Sequence, residues 1–428
     1  MIKNLVFVFL LLASFASSAQ RTSSSPYSFF GIGEEFSPNT VEQSAMGGIG
    51  VAFNHYKYLN FLNPAAYADL RYTTYSFGVL NSNLTLNNGA TKQTGNTTSL
   101  SYFALAFPIG KKMGASVGLQ PLSSIGYSLS NAIRDSNGDA SEFSSYNGSG
   151  GVSRVYLSFG MKLSKDLTFG LEASSSFGNV ENSVANQKAN VSLATKYNET
   201  LKIRGGSIKL GTQYNKQLKN KKTLTAGATV KLGHDLRVTG NEYLYSLTLS
   251  NGGESPRDTI SQTAITGQYN LPVKTTFGVG LGKFDNWYVG LEYEAQAAIG
   301  TSGFLNASNT AFKYGDSNRF SLGGFYIPKI TSISSFWDRI TYRAGLRLEK
   351  TGLLIDGSGN ATNFTEINDF GISFGLGIPL KQLSTINMGF EFGKRGTTSN
   401  NLIQENYFNF RLGLSLTDTN WFVKRKID

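Results

Sequence analysis

Cysteine is absent from this 428-residue sequence, and its absence excludes several kinds of site at once. A chain without thiols has no disulfide framework, no thiolate zinc or iron–sulfur site and no cysteine nucleophile. Charge is also scarce, because Asp, Glu, Lys and Arg make up 16% of the residues, whereas soluble domains carry roughly 25%. There are only 9 prolines and two histidines, His55 and His234. What the chain does have is 40% hydrophobic residues, too many for a disordered polypeptide.

The first segment predicts export. Residues 1–19 combine Lys3, a long apolar stretch and small residues at Ser17-Ser18-Ala19, which is typical of a signal peptide. The alternative is a membrane anchor, but the apolar stretch is shorter than the roughly 20 residues of a spanning helix. Gln20 rather than cysteine follows the predicted cleavage site, so no lipoprotein anchor is expected. No later apolar run is long enough for a helical span.

From residue 72 onward, hydrophobic and polar residues alternate with a period of two, the pattern of β-strands with two different faces. In 286–299, for example, Val289 and Leu291 share one face, whereas Gly290 and Glu292 share the other. A tilted strand needs about 9–11 residues to cross a bilayer. Segments near or above this length are predicted at 72–86, 96–107, 112–129, 151–163, 166–180, 204–218, 222–237, 272–283, 286–299, 316–327, 339–350, 367–379, 383–395 and 405–416.

The connections between these segments alternate in length. Tight turns are expected at 108–111, 164–165, 219–221, 284–285 and 380–382, and long polar loops at 130–150, 181–203, 238–271 and 300–315, with 328–338 as an exception among the turns. Outer-membrane barrels have short periplasmic turns and longer extracellular loops. The sequence therefore predicts an all-β protein, a transmembrane antiparallel β-barrel of about 14 strands in the outer membrane of a Gram-negative bacterium. The alternative is a secreted β-sandwich or propeller, but a sandwich would not sort its loops by length.

Residues 20–71 precede the first strand and lack its alternation. They contain the glycine-rich segment 44–52, and small residues of this kind allow backbone to pack closely. A barrel of 14 strands is wider than one that its own side chains fill. We therefore expect 20–71 to form an N-terminal hatch inside a barrel of residues 72–416, followed by a basic periplasmic tail at 417–428. The alternative for 20–71 is a disordered periplasmic tail.

The residues AMGGIGVAF at 45–53, followed by Asn63-Pro64-Ala65, resemble the hatch of the FadL/TodX (OmpP1) family of long-chain fatty-acid transporters. Further similar segments are GLQPLSSIGYS at 118–128, NGSGGVSRVYLSFG at 147–160, Leu271-Pro272 and TNWFVKRKID at 419–428. The resemblance implies a fourteen-stranded barrel with an N-terminal hatch that moves hydrophobic compounds passively across the outer membrane. The hatch residues it implies are Gly47, Gly48, Gly50, Asn63, Pro64 and Ala65.

Two features depart from the family pattern. The family has an Asp-Asp-Ala stretch where this chain has Asn-His-Tyr-Lys-Tyr at 54–58, and a basic tail follows the last predicted strand. These departures concern the substrate rather than the fold. A related branch of the family serves a protein-secretion machinery. The alternative function is therefore a non-transporting scaffold that binds a secretion or surface-protein partner.

No reaction is expected from the remaining motifs. By alternation, His234 faces lipid together with Val230 and Leu232, which predicts a rim histidine rather than a catalytic base. The glycines of 278–282 alternate with apolar residues as in a strand, and no helix follows, so they are not a dinucleotide loop. Residues 356–360 are typical of a loop turn rather than a calcium site. We expect no enzyme activity, no cofactor and no metal.

The net charge of +11 indicates lipid rather than nucleic acid as the partner. Many of the cations fall in the predicted periplasmic turns or just after the last strand: Lys111, Lys112, Lys165, Lys219, Lys221, Lys222, Lys424, Arg425 and Lys426. Cations at this level meet phosphate head groups. The expected function is passive uptake of hydrophobic small molecules such as long-chain fatty acids, through ligand-binding residues that the sequence does not identify.

Overall fold

The computed structural model describes residues 23–250, 253–303, 310–358, 360–380 and 383–418. The predicted signal peptide, 1–19, lies outside the described residues. So does the predicted basic tail, except for its first two residues, which belong to the last strand.

Over the described residues, fourteen strands form one antiparallel sheet that closes on itself. Their bounds are β1 Thr73–Asn87, β2 Lys92–Ile109, β3 Met113–Ile125 continued as Ser128–Arg134, β4 Ala140–Lys162, β5 Leu167–Lys188, β6 Ala194–Gln217, β7 Thr223–Lys231 continued as His234–Ser250, β8 Gly253–Leu271 continued as Lys274–Lys283, β9 Trp287–Gln296 with Gly300–Ser302, β10 Phe312–Tyr314 continued as Ser317–Tyr326, β11 Thr341–Ile355, β12 Thr365–Pro379, β13 Thr385–Arg395 and β14 Gln404–Asp418. The barrel closes because β14 pairs with β1 along the full length of both strands. The predicted fourteen-stranded all-β barrel is confirmed.

The other described elements are short. They are a two-residue strand Glu34–Glu35, the helix α1 Val41–Ser44, and 3₁₀ turns at Pro26–Phe29, Pro64–Asp69, Lys219–Lys221, Trp337–Arg339 and Ser399–Asn401. Among the described residues, no helix has the length and hydropathy of a membrane span.

The two faces of the barrel differ as the alternation predicts. In β9, Val289 and Leu291 point outward and are exposed, whereas Tyr288 and Glu292 point inward and are buried. Exposed apolar side chains recur around the outside: Leu100, Phe103, Val117, Leu119, Val155, Leu157, Phe169, Leu171, Phe177, Ile208, Phe277, Val279, Phe320, Leu322, Phe370, Ile372, Phe374, Phe392 and Leu412. A large exposed apolar surface marks a contact with protein or membrane, and around a closed barrel it forms the band that faces lipid. The chain is an outer-membrane barrel, and the β-sandwich alternative is wrong.

The tight turns gather at one end of the barrel and carry exposed lysines. Lys111 and Lys112 lie between β2 and β3, Lys165 lies between β4 and β5, and Lys219–Lys221 lies between β6 and β7. This is the periplasmic end in an outer-membrane barrel.

The predicted long loops at 130–150, 181–203 and 238–271 are wrong, because most of these residues extend strands β3 to β8 beyond the membrane. The chain between β3 and β4 leaves strand conformation only at 135–139, and between β5 and β6 only at 189–193. Above the membrane both faces of a hairpin contact water, so the alternation ends there although the backbone ladder continues. The end of the alternation in the sequence therefore does not mark the end of the strands.

Candidate functional site

Residues 23–71, called the plug below, run through the interior of the barrel. At the extracellular end, the Tyr27 hydroxyl donates to the carbonyl of Ile403. At the periplasmic end, the Thr74 hydroxyl donates to the carbonyl of Lys57 over 3.1 Å. The plug buries large apolar side chains, namely Val41, Met46, Ile49, Val51, Phe53, Phe61 and Leu62. Each buried side chain of this size contributes about 1.5–3 kcal/mol.

Local sequence determines the turns of the plug. Thr40 caps α1, because its hydroxyl accepts from the Gln43 amide over 3.2 Å while the Gln43 side chain accepts from the Thr40 amide over 2.9 Å. This reciprocal capping box needs a Thr and a Gln three residues apart. The side-chain Nε2 of Gln43 also donates to Asn60 Oδ1 over 2.9 Å. Asn60 in turn donates to the carbonyl of Gly50 over 2.7 Å, so this one side chain joins three parts of the plug.

The three predicted hatch glycines lie where the plug meets the middle of the barrel. Gly47 and Gly48 have φ values of +71° and +83°, a backbone conformation that residues other than glycine rarely adopt. The Gly47 amide donates to Ser373 Oγ of β12 over 2.9 Å. The Gly50 amide donates to Glu292 Oε2 of β9 over 2.9 Å, and the Val51 amide donates to the same oxygen over 2.8 Å. Glu292 is a plug-holding residue that sequence reasoning missed.

The other three predicted hatch residues form the periplasmic turn of the plug. Asn63 caps the 3₁₀ turn, since its Oδ1 accepts from the Ala65 amide over 3.0 Å, and Pro64 occupies the first turn position. Asn63 Nδ2 donates to the carbonyls of Val51 and Thr212, over 2.8 and 3.0 Å. The structure thus brings Asn63 next to the Gly50–Val51 segment, twelve residues away in sequence from Val51.

A ring of glycines on the inner wall lets the plug backbone lie against the strands. At each of these positions a Cβ would come closer than 3.0 Å to a plug atom: Gly114, Gly160, Gly170, Gly211, Gly227, Gly323, Gly345, Gly375 and Gly413. They belong to nine different strands. The sequence signal for this ring is the high glycine count, 48 residues, because glycine in a strand marks a close approach of another backbone.

The wall of the barrel has a gap between β2 and β3. The two strands pair only from Phe103↔Leu119 to Ile109↔Met113. Beyond Leu119, β3 shifts its register on β4 near Pro121, which has no amide hydrogen to donate. On the side where β2 would lie, Ser123 and Ser124 of β3 pair with Glu35 and Glu34 of the plug. Because Leu100, Phe103 and Leu119 face outward near the gap and are exposed, the gap begins within the apolar band.

Cavities lie between the plug and the wall, among them the following three. The gap cavity, of about 140 Å³, is bordered by Ser99, Leu100 and Pro121 and therefore lies directly behind the gap. The upper cavity, of about 170 Å³, is lined by charged side chains such as Arg319 and Asp369 and by the apolar or aromatic side chains Tyr27, Phe30, Ile32, Tyr269 and Leu271. The lysine cavity, of about 130 Å³, is lined by Lys209, Lys231 and Lys274 together with Phe36, Val51 and Leu122. These are the candidate ligand sites that the sequence did not identify.

Charged side chains inside the barrel pair with one another. Glu391 of β13 accepts from Arg411 over 2.6 Å and from Arg347 over 3.1 Å. Arg395 links the wall to the plug, since it lies 2.8 Å from Glu34 and 3.0 Å from Asp369. Removing one partner would leave an uncompensated charge away from bulk water, which is costly. The ion pairs therefore hold the extracellular part of the plug in one position.

Neither histidine has the surroundings of a catalytic base. His55 stacks on Tyr56, with ring centroids 4.4 Å apart. Burial, with the nearby Lys57 and Arg343, holds the pKa of His55 well below its usual range. His234 shares a strand face with the buried Leu236 rather than facing lipid with Leu232. The lipid-facing prediction for His234 is wrong, because β7 is interrupted between Lys231 and His234 and the alternation shifts there.

The turn predicted at 356–360 is hydrogen-bonded through Asp356, while residue 359 lies outside the described residues. Asp356 Oδ1 accepts from the Ser358 amide over 2.8 Å, and Oδ2 accepts from the Thr362 amide over 3.0 Å. Within the described ranges, no three His, Cys, Asp or Glu side chains are grouped as ligands of one metal ion.

The sequence and the fold both have known relatives. The family model described as BamG matches residues 1–428. No curated protein sequence matches the chain. Among solved structures, the monoaromatic hydrocarbon channel CymD has a TM-score of 0.57 at 15% identity, and the match covers 91% of this chain and 99% of that one.

Two further channels have the same fold. The Ralstonia pickettii toluene transporter TbuX has a TM-score of 0.58 at 15% identity, with 90% of this chain and 98% of that chain covered. A FadL homologue from Pseudomonas aeruginosa has a TM-score of 0.58 at 10% identity, covering 93% and 99%. The expected FadL/TodX-type barrel is confirmed, and at these identities the likeness concerns the fold.

Proposed function

The chain belongs to the BamG family, and we propose that it acts as a passive outer-membrane channel for small hydrophobic compounds. The observation that carries the proposal is the gap between β2 and β3, which places a cavity of about 140 Å³ beside the lipid-facing band. The named structural relatives, a monoaromatic hydrocarbon channel and a toluene transporter, support the same class of cargo.

The proposed route uses no chemical reaction. An apolar compound leaves the extracellular hairpins, enters the space between plug and wall, and passes through the gap into the bilayer. Transfer to lipid is favourable for such a compound because its apolar surface leaves water. The pairing of Glu34–Glu35 with β3 borders this route, so widening of the gap requires the upper part of the plug to move.

Cavity size favours compounds with a single ring. A volume of about 150 Å³ is large enough to hold benzene, and the gap and upper cavities, whose walls are in part polar, measure about 140 and 170 Å³. A long-chain fatty acid is larger than either. We propose that such acids, the finer expectation from the sequence, pass only when the plug is displaced and the cavities join.

Uptake of labelled toluene by Gram-negative cells that lack their own hydrocarbon channels tests this function. Ser99 lines the gap cavity, and Ser99→Trp fills the space behind the gap. We expect the wild-type barrel to speed uptake several-fold over cells with an empty vector, and Ser99→Trp to remove most of that increase.

The matched control is Leu157→Trp, which places the same indole on the lipid-facing side of β4, where Leu157 is 61% exposed. This variant is expected to transport like wild type. The proposal is wrong if wild-type cells take up toluene no faster than vector cells, or if Ser99→Trp leaves the rate unchanged.

The comparisons give no support to the alternative, a non-transporting scaffold for a secretion or surface-protein partner. Purification from native membranes distinguishes the two. A co-purifying hydrophobic small molecule is expected for a channel, whereas a protein partner in stoichiometric amount would favour the scaffold.

A further inference from the structure

Three lysines stand side by side on the inner wall of the barrel. Lys209 of β6 is the direct cross-strand partner of Lys231 of β7, and Lys231 is the direct partner of Lys274 of β8. All three line the lysine cavity. Like charges directly opposite each other on neighbouring strands are destabilising. The row therefore carries an unfavourable electrostatic energy unless an anion lies against it.

The two outer lysines have carboxylate partners. Lys209 lies 3.1 Å from Glu172 and also donates to the Phe61 carbonyl of the plug over 2.7 Å. Lys274 lies 3.4 Å from Glu294.

Each of these carboxylates is shared with an arginine. Arg154 lies 3.4 Å from Glu172, and Arg319 lies 3.1 Å from Glu294. Each carboxylate thus serves two cations. Neither Glu172 nor Glu294 therefore has charge to spare for neutralising the middle lysine, Lys231.

The middle lysine, Lys231, lacks such a partner. Among the described residues, no carboxylate forms an ion pair with Lys231 within 4.0 Å. Three carboxylates line the same cavity, namely Glu35 of the plug together with Glu294 and Glu349 of the wall. Arg154 and Arg319 also line the cavity. The cavity lining thus holds five cations against three carboxylates, so an added negative charge gains most at the centre of the row.

The row lies next to an interruption of the wall. β7 stops at Lys231 and resumes at His234, and β8 resumes at Lys274 after stopping at Leu271. The lysine cavity and the upper cavity share Glu35, Ser37, Lys274, Glu294, Arg319 and Glu349 as lining residues. A charged group beside Lys231 can therefore be joined to an apolar group between Tyr269 and Leu271. The combined space is amphipathic.

We infer that this space is a binding site for an oxyanion, with Lys231 between Lys209 and Lys274 as its centre and phosphate as its best match. Lysine binds phosphate as a point charge through its three N–H donors, and a doubly charged group can accept from more than one of the three ammonium groups. Phosphate can reach the site free or as the head group of a small amphiphile, whose apolar part then occupies the upper cavity. The amphiphile case rests on the proposed function, because it assigns a negatively charged head group to a compound that enters the same lumen.

Titration calorimetry on the full-length barrel in an uncharged maltoside detergent tests the site. The probes are phenyl phosphate, phenol and inorganic phosphate. We expect phenyl phosphate to bind at least tenfold more tightly than phenol. We expect Lys231→Gln to weaken phenyl phosphate binding at least tenfold and Lys231→Arg to retain most of it. Phenyl phosphate binding above that of inorganic phosphate identifies an amphiphile site, and equal binding identifies a site for free phosphate.

The matched control is Lys216→Gln, which removes a charge from the neighbouring strand β6 at an exposed position, where Lys216 pairs with Asp166 over 3.0 Å. Retention of the heat-dependent electrophoretic shift of the barrel confirms folding of each variant. The inference is overturned if neither phosphate probe binds, or if folded Lys231→Gln binds phenyl phosphate like wild type. Toluene is uncharged, so toluene uptake tests the channel proposal alone, whereas calorimetry with the phosphate probes tests the oxyanion site. Failure of one proposal can therefore be distinguished from failure of the other.

Discussion

At the residue scale, the plug is held by single side chains that reach it from the wall. One carboxylate oxygen of Glu292 accepts hydrogen bonds from two plug amides, over 2.9 and 2.8 Å, and Glu292 is only 3% exposed. Within the plug, the side-chain amides of Asn60 and Asn63 donate hydrogen bonds to the carbonyls of Gly50 and Val51. An irregular segment has few backbone partners of its own, so buried side chains must satisfy its amides and carbonyls.

Replacing Glu292 with Gln is expected to loosen the plug. Hydrogen bonds to a charged acceptor are worth about 1.5–3 kcal/mol, against about 0.5–1.5 kcal/mol for a neutral one. We therefore expect a loss of about 1–2 kcal/mol, measured as a lower midpoint of thermal unfolding and faster protease cleavage within the plug. Glu366→Gln is the control, because Glu366 pairs with Lys350 near the extracellular end, 3.2 Å away. Equal stability of Glu292→Gln and wild type would contradict this role.

At the element scale, β3 is the strand that departs from a regular barrel. It leaves β2 after Leu119 and pairs with the plug through Ser123 and Ser124. Pro121 lies at the point of departure, where a missing amide hydrogen costs least. This pairing makes the plug part of the wall at the gap. Motion of the plug and the width of the gap are therefore coupled.

A disulfide between Glu35→Cys and Ser123→Cys is expected to lock the gap. The two residues are direct antiparallel partners, and such Cα atoms lie about 4.5–5.5 Å apart, within the range of a disulfide. Because the chain has no other cysteine, the bond is unambiguous. We expect toluene uptake to fall several-fold in the oxidised double variant and to recover with reductant, whereas each single variant stays insensitive. Equal uptake in both redox states would show that this contact need not move.

At the scale of the whole molecule, the barrel divides its residues among lipid, lumen and periplasmic rim. The low charge content follows from the outward apolar band, and many of the remaining charges form ion pairs inside the lumen, such as Arg411 with Glu391. Nine of the wall glycines lie where the plug touches the wall. The barrel is therefore built around its plug rather than merely closed by it.

Deleting residues 40–66 is expected to open the barrel to small polar solutes. These residues cover α1, the glycine-rich segment and the start of the periplasmic turn. Efflux of a small sugar from liposomes that contain the variant should be much faster than with wild type. Deletion of 136–138, in the exposed turn between β3 and β4, is the control and should leave efflux unchanged. If liposomes with the 40–66 deletion stay as tight as wild type, the plug does not seal the barrel.

The sequence by itself determined the number of strands, most of the residues that face lipid and the end that carries the tight, lysine-rich turns. These are local properties, because each strand alternates between two media along its own length. It placed Gly47, Gly50 and Asn63 in the segment before the barrel but not the contacts they make. The gap, the role of Glu292 and the row Lys209–Lys231–Lys274 were decided only by the tertiary structure. They depend on the register between strands that are far apart in sequence, and on the path of the plug, which no local pattern encodes.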